Sequence, residues 1–275
     1  ESKMQTPRKV ALAGGIFANV KLNQRIAAME DVLSCYVFPN MGDGGLSVGA
    51  GWLAHWEATH KKPIAPSNMF LGTDVNDAEI ERILSKVGVD FRRCLNIEFE
   101  ISELLAKGDV VARCAGPMEF GPRALGNRSI LAPASDPSIN DWLNKKLGRS
   151  EFMPFAPVVR VENCDDYFID FDVSKPCLDF MTATVHCTNK MKVDGAAAVH
   201  VDGTARPQIV TESNHPSMYK ILSYYFESTG YGCLINTSFN MHEEPIVCSA
   251  DDAVRAYLAG ELPHLAIGNY LVSKY

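Results

Sequence analysis

The spacing of hydrophobic positions changes repeatedly along the chain, and each spacing predicts a different element. Apolar residues at helical intervals predict helices at residues 17–29, 46–59, 77–87, 101–107, 136–148, 162–171, 215–229 and 249–258. Short, mostly apolar runs predict strands at residues 9–13, 34–38, 91–99, 109–114, 154–160, 180–187, 196–208, 232–240 and 265–272. Elements that alternate in this way indicate an α/β (α+β) protein.

The densest group of special residues lies at 116–131, directly after the predicted strand at 109–114. Repeated Gly and Pro free or restrict the backbone there, so the segment is expected to have a defined shape. It carries Arg123 and Arg128, and guanidinium groups bind phosphate or carboxylate in a bidentate manner. The segment is therefore either an anion site or a structural turn whose arginines bind backbone carbonyls or pair with Glu119.

Three cations gather where the predicted helix at 136–148 ends. Lys145 and Lys146 occupy its last turn, and Arg149 follows the glycine that stops it. Cations at a helix C-terminus complement the helix dipole. The same three side chains would also suit a second wall of an anion site, and the sequence leaves both interpretations open.

Two later segments carry polar side chains on predicted strands. The strand at 196–208 places every second residue on one face, which is either an exposed sheet face or one side of a site. These residues are His200, Asp202, Thr204, Arg206 and Gln208. The apolar strand at 232–240 ends in Asn236, Ser238 and Asn240. Amides and hydroxyls at the end of a strand are typical of a sheet edge that meets a ligand.

Two glycine-rich turns lie near the start of the chain. Gly14 and Gly15 separate a predicted strand from a helix, which suits either a phosphate at the helix N-terminus or an ordinary tight turn. Asp43 lies in a second turn, among glycines and before another helix. An aspartate in this position caps a helix or holds a metal ion or a ribose.

The net charge of the chain limits the kinds of partner that it is expected to bind. The formal net charge is -7 and the pI about 5.5, which argues against a broad surface for nucleic acid or an anionic membrane. No apolar stretch approaches the roughly 18 residues of a membrane span, and residues 1–8 lack the apolar core of a signal peptide. At 275 residues the chain is long enough for two domains.

The eight cysteines are scattered and form no C-x-x-C pair or Cys/His cluster at zinc-finger spacing. Several lie in apolar runs, where a free thiol behaves as a small buried hydrophobic group. We therefore expect reduced core thiols and a cytoplasmic protein.

Taken together, five motifs resemble the O-carbamoyltransferase family that includes NodU, CmcH and tobramycin carbamoyltransferase. The resemblance covers essentially the whole chain, in order and with matching spacing. The motifs lie at residues 118–132, 155–157, 200–206, 236–240 and 244–247.

The resemblance implies two domains. Residues 1–97 would be the C-terminal part of a TsaD-like carbamoyl-transfer domain of the actin/hexokinase superfamily. Residues 98–275 would be a YrdC-like, carbamoyl-adenylate-forming α/β domain with a mixed twisted sheet. Family members are longer, so this chain would be the C-terminal half of the enzyme, and the missing N-terminal half would be its partner.

The resemblance also implies a reaction. Carbamoyl phosphate and ATP would form carbamoyl-adenylate, with Mg possible alongside ATP, and the carbamoyl group would pass to a hydroxyl of a small molecule. Transfer would take place at Fe or another divalent metal, for which Asp43 matches one ligand; the other ligands, histidines, would lie in the missing half.

Roles for the polar residues follow from that reaction. A cage for phosphate charge would consist of Arg123, Lys145 or Lys146, Arg149 and Arg206. His200 would donate a proton or hydrogen bond to the leaving phosphate. Neutral hydrogen bonds to the adenylate or carbamoyl group would come from Asn236, Ser238 and Asn240. The nucleotide-facing loop of the other domain would contain Gly14, Gly15, Asn19 and Asn23.

The chain departs from the family pattern at three positions. Glu151 replaces a proline, Met153 replaces an arginine and Glu243 replaces a glycine. These changes keep open an alternative, a non-catalytic nucleotide-binding or scaffold module derived from the family. RNA binding, by analogy with YrdC-like proteins, is disfavoured by the acidic balance.

Overall fold

The computed structural model describes residues 7–64, 66–148, 155–169 and 178–274. The strands are β1 (Arg8–Leu12), β2 (Val32–Val37), β3 (Phe91–Arg93), β4 (Val111–Cys114), β5 (Arg128–Pro133), β6 (Ala156–Arg160), β7 (Val185–His186), β8 (Thr204–Ala205), β9 (Gln208–Val210), β10 (Cys233–Ser238), β11 (His264–Ile267) and β12 (Tyr270–Ser273). The helices are α1 (Val20–Ala27), α2 (Leu46–Thr59), α3 (Asp77–Val87), α4 (Ile97–Ala106), α5 (Ser138–Lys146), α6 (Cys164–Tyr167), α7 (Asn189–Asp194), α8 (Pro216–Thr229) and α9 (Ala250–Ala259).

A mixed sheet forms the centre of the molecule, in the order β3-β12-β11-β4-β5-β10-β6-β9. The pairs β4/β11 and β6/β9 are parallel, and the other neighbours are antiparallel. Alternate residues of the central strands face opposite sides. Leu131 and Leu234 pack with α4 and α8, whereas Ile130 and Ile235 belong to the core that includes residues of α3 and α9. Helices therefore cover both faces of the sheet.

The first part of the chain forms a separate parallel pair, β1 and β2, against which α1 packs. The helix α2 contains no buried residue, although it is rich in apolar side chains. Leu46, Leu53 and Trp56 are 70%, 58% and 44% exposed. Among the described residues, no helix has the length and apolar character needed to cross a membrane.

Several predicted elements agree closely with the structure, because their end signals are present. The helices predicted at 46–59 and 77–87 coincide with α2 and α3. Asn76 caps α3 by accepting a hydrogen bond from Glu79 N at 2.9 Å. Ser249 and Asp252 form a capping box at the start of α9. Local capping chemistry is visible in sequence, so these boundaries could be predicted.

The strand predicted at 91–99 is wrong beyond Arg93. The chain turns there into α4, whose N-cap Asn96 accepts from Phe99 N at 3.1 Å. The sheet thus takes in β3, which the predicted boundary between residues 97 and 98 assigns to the preceding domain. The helix α3 also contributes Ile80 and Ile83 to the main core.

The continuous strand predicted at 196–208 is also wrong. Residues 196–198 form a 3₁₀ turn, and a tight turn follows in which Gly203 N donates to His200 O at 2.9 Å. Gly203 has φ 74°, which a strand does not use, and Pro207, between β8 and β9, has no N–H to donate.

Two further strand predictions need correction. Of the strand predicted at 180–187, only β7 forms, and residues 265–272 fold as the hairpin β11–β12 around Gly268 (φ 52°). The strand β5, which the sequence analysis missed, follows the 116–127 loop without a break.

Candidate anion-binding site

The loop at residues 115–127 is organised around a buried carboxylate. Glu119 is only 6% exposed, and its Oε1 accepts the backbone N–H groups of Leu125, Asn127 and Arg128 at 2.7, 2.8 and 3.2 Å. Three N–H donors converging on one oxygen are a strong local constraint on the backbone. This carboxylate, which the sequence analysis considered only as an ion-pair partner, holds the loop in shape.

Arg128 holds the same loop from inside the protein. Its side chain is fully buried, and its guanidinium donates to five backbone carbonyls at 3.0–3.3 Å. The acceptors are the carbonyls of Thr73, Ala115, Gly116, Asn127 and Cys248. For Arg128, the structural interpretation of the sequence is therefore the right one.

Arg113 on β4 supports the loop in a similar way and was missed as a candidate. It is 4% exposed and donates to the Gly126 carbonyl, to Asn127 Oδ1 at 3.0 Å and to Ser217 Oγ at 2.7 Å. Ser217 in turn donates to Glu98 Oε1 at 2.7 Å. Burial lowers the pKa of Arg113, and its hydrogen bonds offset that desolvation.

Arg123 and Arg206 differ sharply from these two arginines. Arg123 Nε and Arg206 Nη1 are buried without a hydrogen-bond partner, and in the described part of the chain neither guanidinium forms an ion pair. Burial lowers the pKa of Arg123, and burial together with the nearby charge of Arg123 lowers the pKa of Arg206 to about 9. Two desolvated like charges side by side are costly unless an anion joins them.

An amide chain connects this pair to the sheet. Gln208 Nε2 donates to the Leu125 carbonyl at 2.6 Å, and Asn236 Nδ2 donates to Gln208 Oε1 at 2.7 Å and to the Ala124 carbonyl at 3.2 Å. Both carbonyls follow Arg123 directly in the chain. Asn236 and Gln208 therefore fix the backbone that carries Arg123, and Asn236 Oδ1 is buried without a partner.

His200 lies in the turn before β8, close enough to Arg206 to feel its charge. Burial lowers the pKa of His200; the charges of Arg206 and Lys21 act in the same direction, and Asp202 opposes them. The ring Nδ1 is 3.3 Å from Thr204 Oγ1. The structure thus brings Arg206, which lies six residues after His200, close to Arg123 from a distant part of the sequence.

Ser238 and Asn240 lie at the end of β10 and bind each other. Ser238 Oγ donates to Asn240 Oδ1 at 2.6 Å, and Asn240 Nδ2 donates to the carbonyls of Met241 and Glu244 at 2.9 and 3.1 Å. Asn240 thereby shapes the following loop, in which Glu243 takes a left-handed conformation with φ 61°. A glycine adopts that conformation without steric strain.

Among the described residues, no contact links Lys145 or Lys146 to Arg123 or Arg206, although the sequence predicts that these lysines form a second wall of the site. Lys146 pairs with Glu261 at 2.8 Å and lies over the ring of Trp142. Lys145 is exposed in the last turn of α5. Arg149, Glu151 and Met153 lie outside the described residues, so their predicted places in the site stay predictions.

The predicted nucleotide loop lies at the end of β1. Gly14 lines a largely apolar cavity of about 390 Å³ together with Asp43, Asn40 and Trp52. Gly15 begins the 3₁₀ turn that leads to α1.

The two predicted asparagines of this loop have local partners. Asn19 caps α1 by accepting from Leu22 N at 3.0 Å. The buried Asn23 donates to the Phe17 and Thr182 carbonyls, each at 2.7 Å. Both side chains therefore stabilise α1 and its contact with residue 182.

Asp43 was proposed as a metal ligand. It is exposed at the start of the 3₁₀ turn Asp43–Gly45. Among the described residues no group of three or more His, Cys, Asp or Glu side chains could hold a metal ion. One carboxylate beside the Asn40 amide is too small a donor set for an iron site, so the residues described here do not form one by themselves.

Fold and site together define a class: an α/β protein with two partly buried arginines, Arg123 and Arg206, that have no anionic partner among the described residues. Comparison with known proteins identifies the family within that class. The Carbamoyltransferase C-terminus model matches residues 102–274, and the Carbamoyltransferase N-terminus model matches residues 2–52. The chain belongs to the carbamoyltransferase family.

Curated relatives agree with that assignment. Protein MJ1051 of Methanocaldococcus jannaschii is 38% identical over 96% of this chain and 51% of its own length. Nodulation protein NolNO of Sinorhizobium fredii is 33% identical over 97% of the chain and 40% of its length. The 3'-hydroxymethylcephem-O-carbamoyltransferase of Streptomyces clavuligerus is 31% identical over 94% and 47%. The chain thus spans about half the length of these relatives.

Solved structures to which this chain is similar include full-length HypF in a phosphate- and nucleotide-bound form. It has a TM-score of 0.45 and 20% identity, over 64% of this chain and 25% of that one. The Sua5 protein of P. abyssi has a TM-score of 0.43 and 13% identity, over 62% of this chain and 46% of that one.

Proposed function

We propose that the whole protein is an ATP-dependent O-carbamoyltransferase, and that residues 98–275 bind carbamoyl phosphate and ATP and form carbamoyl-adenylate. The observation that carries this proposal is the partly buried pair Arg123 and Arg206, each of which has a buried nitrogen without a partner and no protein anion in the described part of the chain. Family membership supplies the reaction class, and the arginine pair supplies a place for its phosphate.

The proposed reaction at phosphorus requires cations that stabilise negative charge rather than a protein nucleophile. Transfer at phosphorus spreads negative charge over several oxygens, and positioned guanidinium groups stabilise that charge. In a site sheltered from water their interaction with phosphate is stronger than at the surface. Arg123 and Arg206 would hold phosphate, with the Asn236–Gln208 chain keeping Arg123 in place.

Transfer to the acceptor is proposed for the whole protein. Residues 1–97 would contribute part of a transfer domain, with Gly14 and Asp43 on the same cavity, and the remainder would come from the half of the relatives that this chain does not cover. The acceptor would be a hydroxyl of a small molecule. The free cysteines of the described residues support a reducing, cytoplasmic setting.

A non-catalytic module is the second candidate. It is favoured by Glu243, which holds a left-handed conformation where the family pattern has glycine. A protein that no longer catalyses the reaction can still bind the nucleotide, while the sequence of the loops around the site changes.

Pyrophosphate release separates the two candidates. In the full-length protein we expect release from ATP that depends on carbamoyl phosphate, and loss of most of that activity in Arg206→Gln. Arg93→Gln is the matched control, because Arg93 is exposed and pairs with Asp77 at the surface. Absence of pyrophosphate release that depends on carbamoyl phosphate would reject the catalytic proposal, and equal release in Arg206→Gln and the control would remove Arg206 from the site.

A further inference from the structure

A short polar chain leads from the surface to His200. Lys21 Nζ on α1 binds Asp202 Oδ2 at 2.8 Å. Asp202 Oδ1 accepts from Thr204 N at 3.1 Å and from Thr204 Oγ1 at 2.6 Å. Thr204 Oγ1 is in turn 3.3 Å from His200 Nδ1. Thr204 is fully buried, so the inner part of this chain is sheltered from water.

The direction of each hydrogen bond can be deduced. An ionised carboxylate only accepts, so the single hydroxyl proton of Thr204 goes to Asp202. Thr204 Oγ1 can then only accept from the imidazole, which places a proton on His200 Nδ1. In a neutral ring the other nitrogen, Nε2, is left with its lone pair.

The backbone reinforces this arrangement. His200 N donates to the Thr204 carbonyl at 2.7 Å, and Gly203 N donates to the His200 carbonyl at 2.9 Å. The turn thus holds His200 and Thr204 in a fixed relation. The charged groups that act on the ring are Asp202 and Arg206 from its own segment and Lys21 from α1.

We propose that Thr204 and Asp202 are positioning residues that fix His200 as the Nδ1–H tautomer, so that Nε2 is a hydrogen-bond acceptor in the anion site. The logic is that of a carboxylate that orients a histidine by binding one side of its ring, here with a hydroxyl between the two. Burial lowers the pKa of His200 although the charge of Asp202 opposes it, and the charges of Arg206 and Lys21 act in the same direction as burial, so the ring is neutral near pH 7.

The Nδ1–H tautomer also indicates which chemical group of a ligand His200 Nε2 could bind. This step rests on the proposed function. A neutral Nε2 cannot donate to a phosphate oxygen, so its partner is an N–H or O–H of the ligand. Carbamoyl phosphate offers an amino group, whereas acetyl phosphate has a methyl group of similar size in that place. His200 would therefore contribute to the choice of a carbamoyl over an acetyl donor.

The tautomer can be measured without any ligand. Nitrogen-15 spectra of the 275-residue chain with labelled histidine distinguish protonated from unprotonated ring nitrogens, and a His200→Gln spectrum assigns the signal among the seven histidines. We expect Nδ1–H in the wild-type chain and in Thr204→Ser, which keeps the hydroxyl. In Thr204→Val, which preserves shape, and in Asp202→Ala, which leaves the Thr204 hydroxyl without its carboxylate acceptor, we expect the Nε2–H form to gain population.

Wild-type His200 in the Nε2–H form, or an unchanged tautomer in both Thr204→Val and Asp202→Ala, would overturn the proposal. Circular dichroism confirms that each variant is folded before it is compared. Binding then tests the ligand step: we expect the wild-type chain to prefer carbamoyl over acetyl phosphate by roughly tenfold, and Thr204→Val to lose that preference. The expected tautomer with no binding of carbamoyl phosphate would reject the proposed function and leave the positioning roles standing.

Discussion

At the scale of single residues, the partners of a side chain decide its role. Arg113, Arg128, Arg123 and Arg206 are the same residue type, and all are wholly or largely buried. Arg113 and Arg128 bind carbonyls and hydroxyls of the protein, whereas Arg123 and Arg206 retain buried nitrogens without partners. The sequence could nominate arginines in a glycine-rich loop, but it could not separate these roles, because the separation depends on Thr73, Ser217 and Cys248 from distant segments.

Glu243 gives a prediction for stability. Its left-handed conformation, with φ 61°, is strained for a residue with a Cβ, so Glu243→Gly should raise the free energy of unfolding by about 1 kcal/mol. Urea denaturation measures the change. Glu57→Gly near the end of α2 is the control and should lower stability, since glycine is a poor helix former. A destabilised Glu243→Gly would contradict the account of strain.

Asp179 gives a prediction for pH dependence. Burial raises the pKa of its carboxyl to about 6, above the ordinary value of about 3.9. The folded state therefore binds the proton more tightly than the unfolded state, and this group's contribution to stability is present below about pH 4 and lost as pH rises through 6.

Substitution of Asp179 tests the direction of this pH dependence. Asp179→Asn should be more stable than wild type at pH 7.5, by about 2 kcal/mol, and the advantage should vanish near pH 4. Denaturation at the two pH values checks both statements. If the stability difference between Asp179→Asn and wild type instead grew towards acid pH, the raised pKa of Asp179 would be rejected.

At the scale of elements, sequence signals were reliable where they were local. Caps and glycine stops marked α3 and α9 closely. The predicted strand at 196–208 is wrong because Gly203 and Pro207 interrupt it, although polar residues occupy every second position. The strand β5 was hidden because it begins at Arg128, inside a segment that reads as loop.

The 115–127 loop gives a prediction at this scale. Glu119→Ala leaves three buried N–H groups without an acceptor and should cost about 3 kcal/mol or more. Glu119→Gln keeps an oxygen acceptor but loses the charge, so its cost should be smaller, about 1–2 kcal/mol. Equal stabilities of both variants and wild type, measured by urea denaturation, would show that the carboxylate does not organise the loop.

At the scale of the whole molecule, the mixed sheet forms the interior and the pair β1–β2 with α2 lies beside it. An α/β class could be predicted from the alternation of elements, since the period of the apolar residues reports secondary structure. The order of the eight strands could not, because strands far apart in sequence become neighbours, as β4 and β11 do. The approach of Arg206 to Arg123 could not be predicted either, because the two residues are distant in sequence.

The most direct test of the central claim is calorimetric titration of carbamoyl phosphate into the 275-residue chain and its variants. The account predicts binding by wild type and by the surface control Arg93→Gln. It predicts affinities at least about tenfold weaker in Arg123→Gln and in Arg206→Gln, because each loses a charge-assisted hydrogen bond. Unchanged affinity in both arginine variants, or no heat for wild type at millimolar ligand, would contradict it.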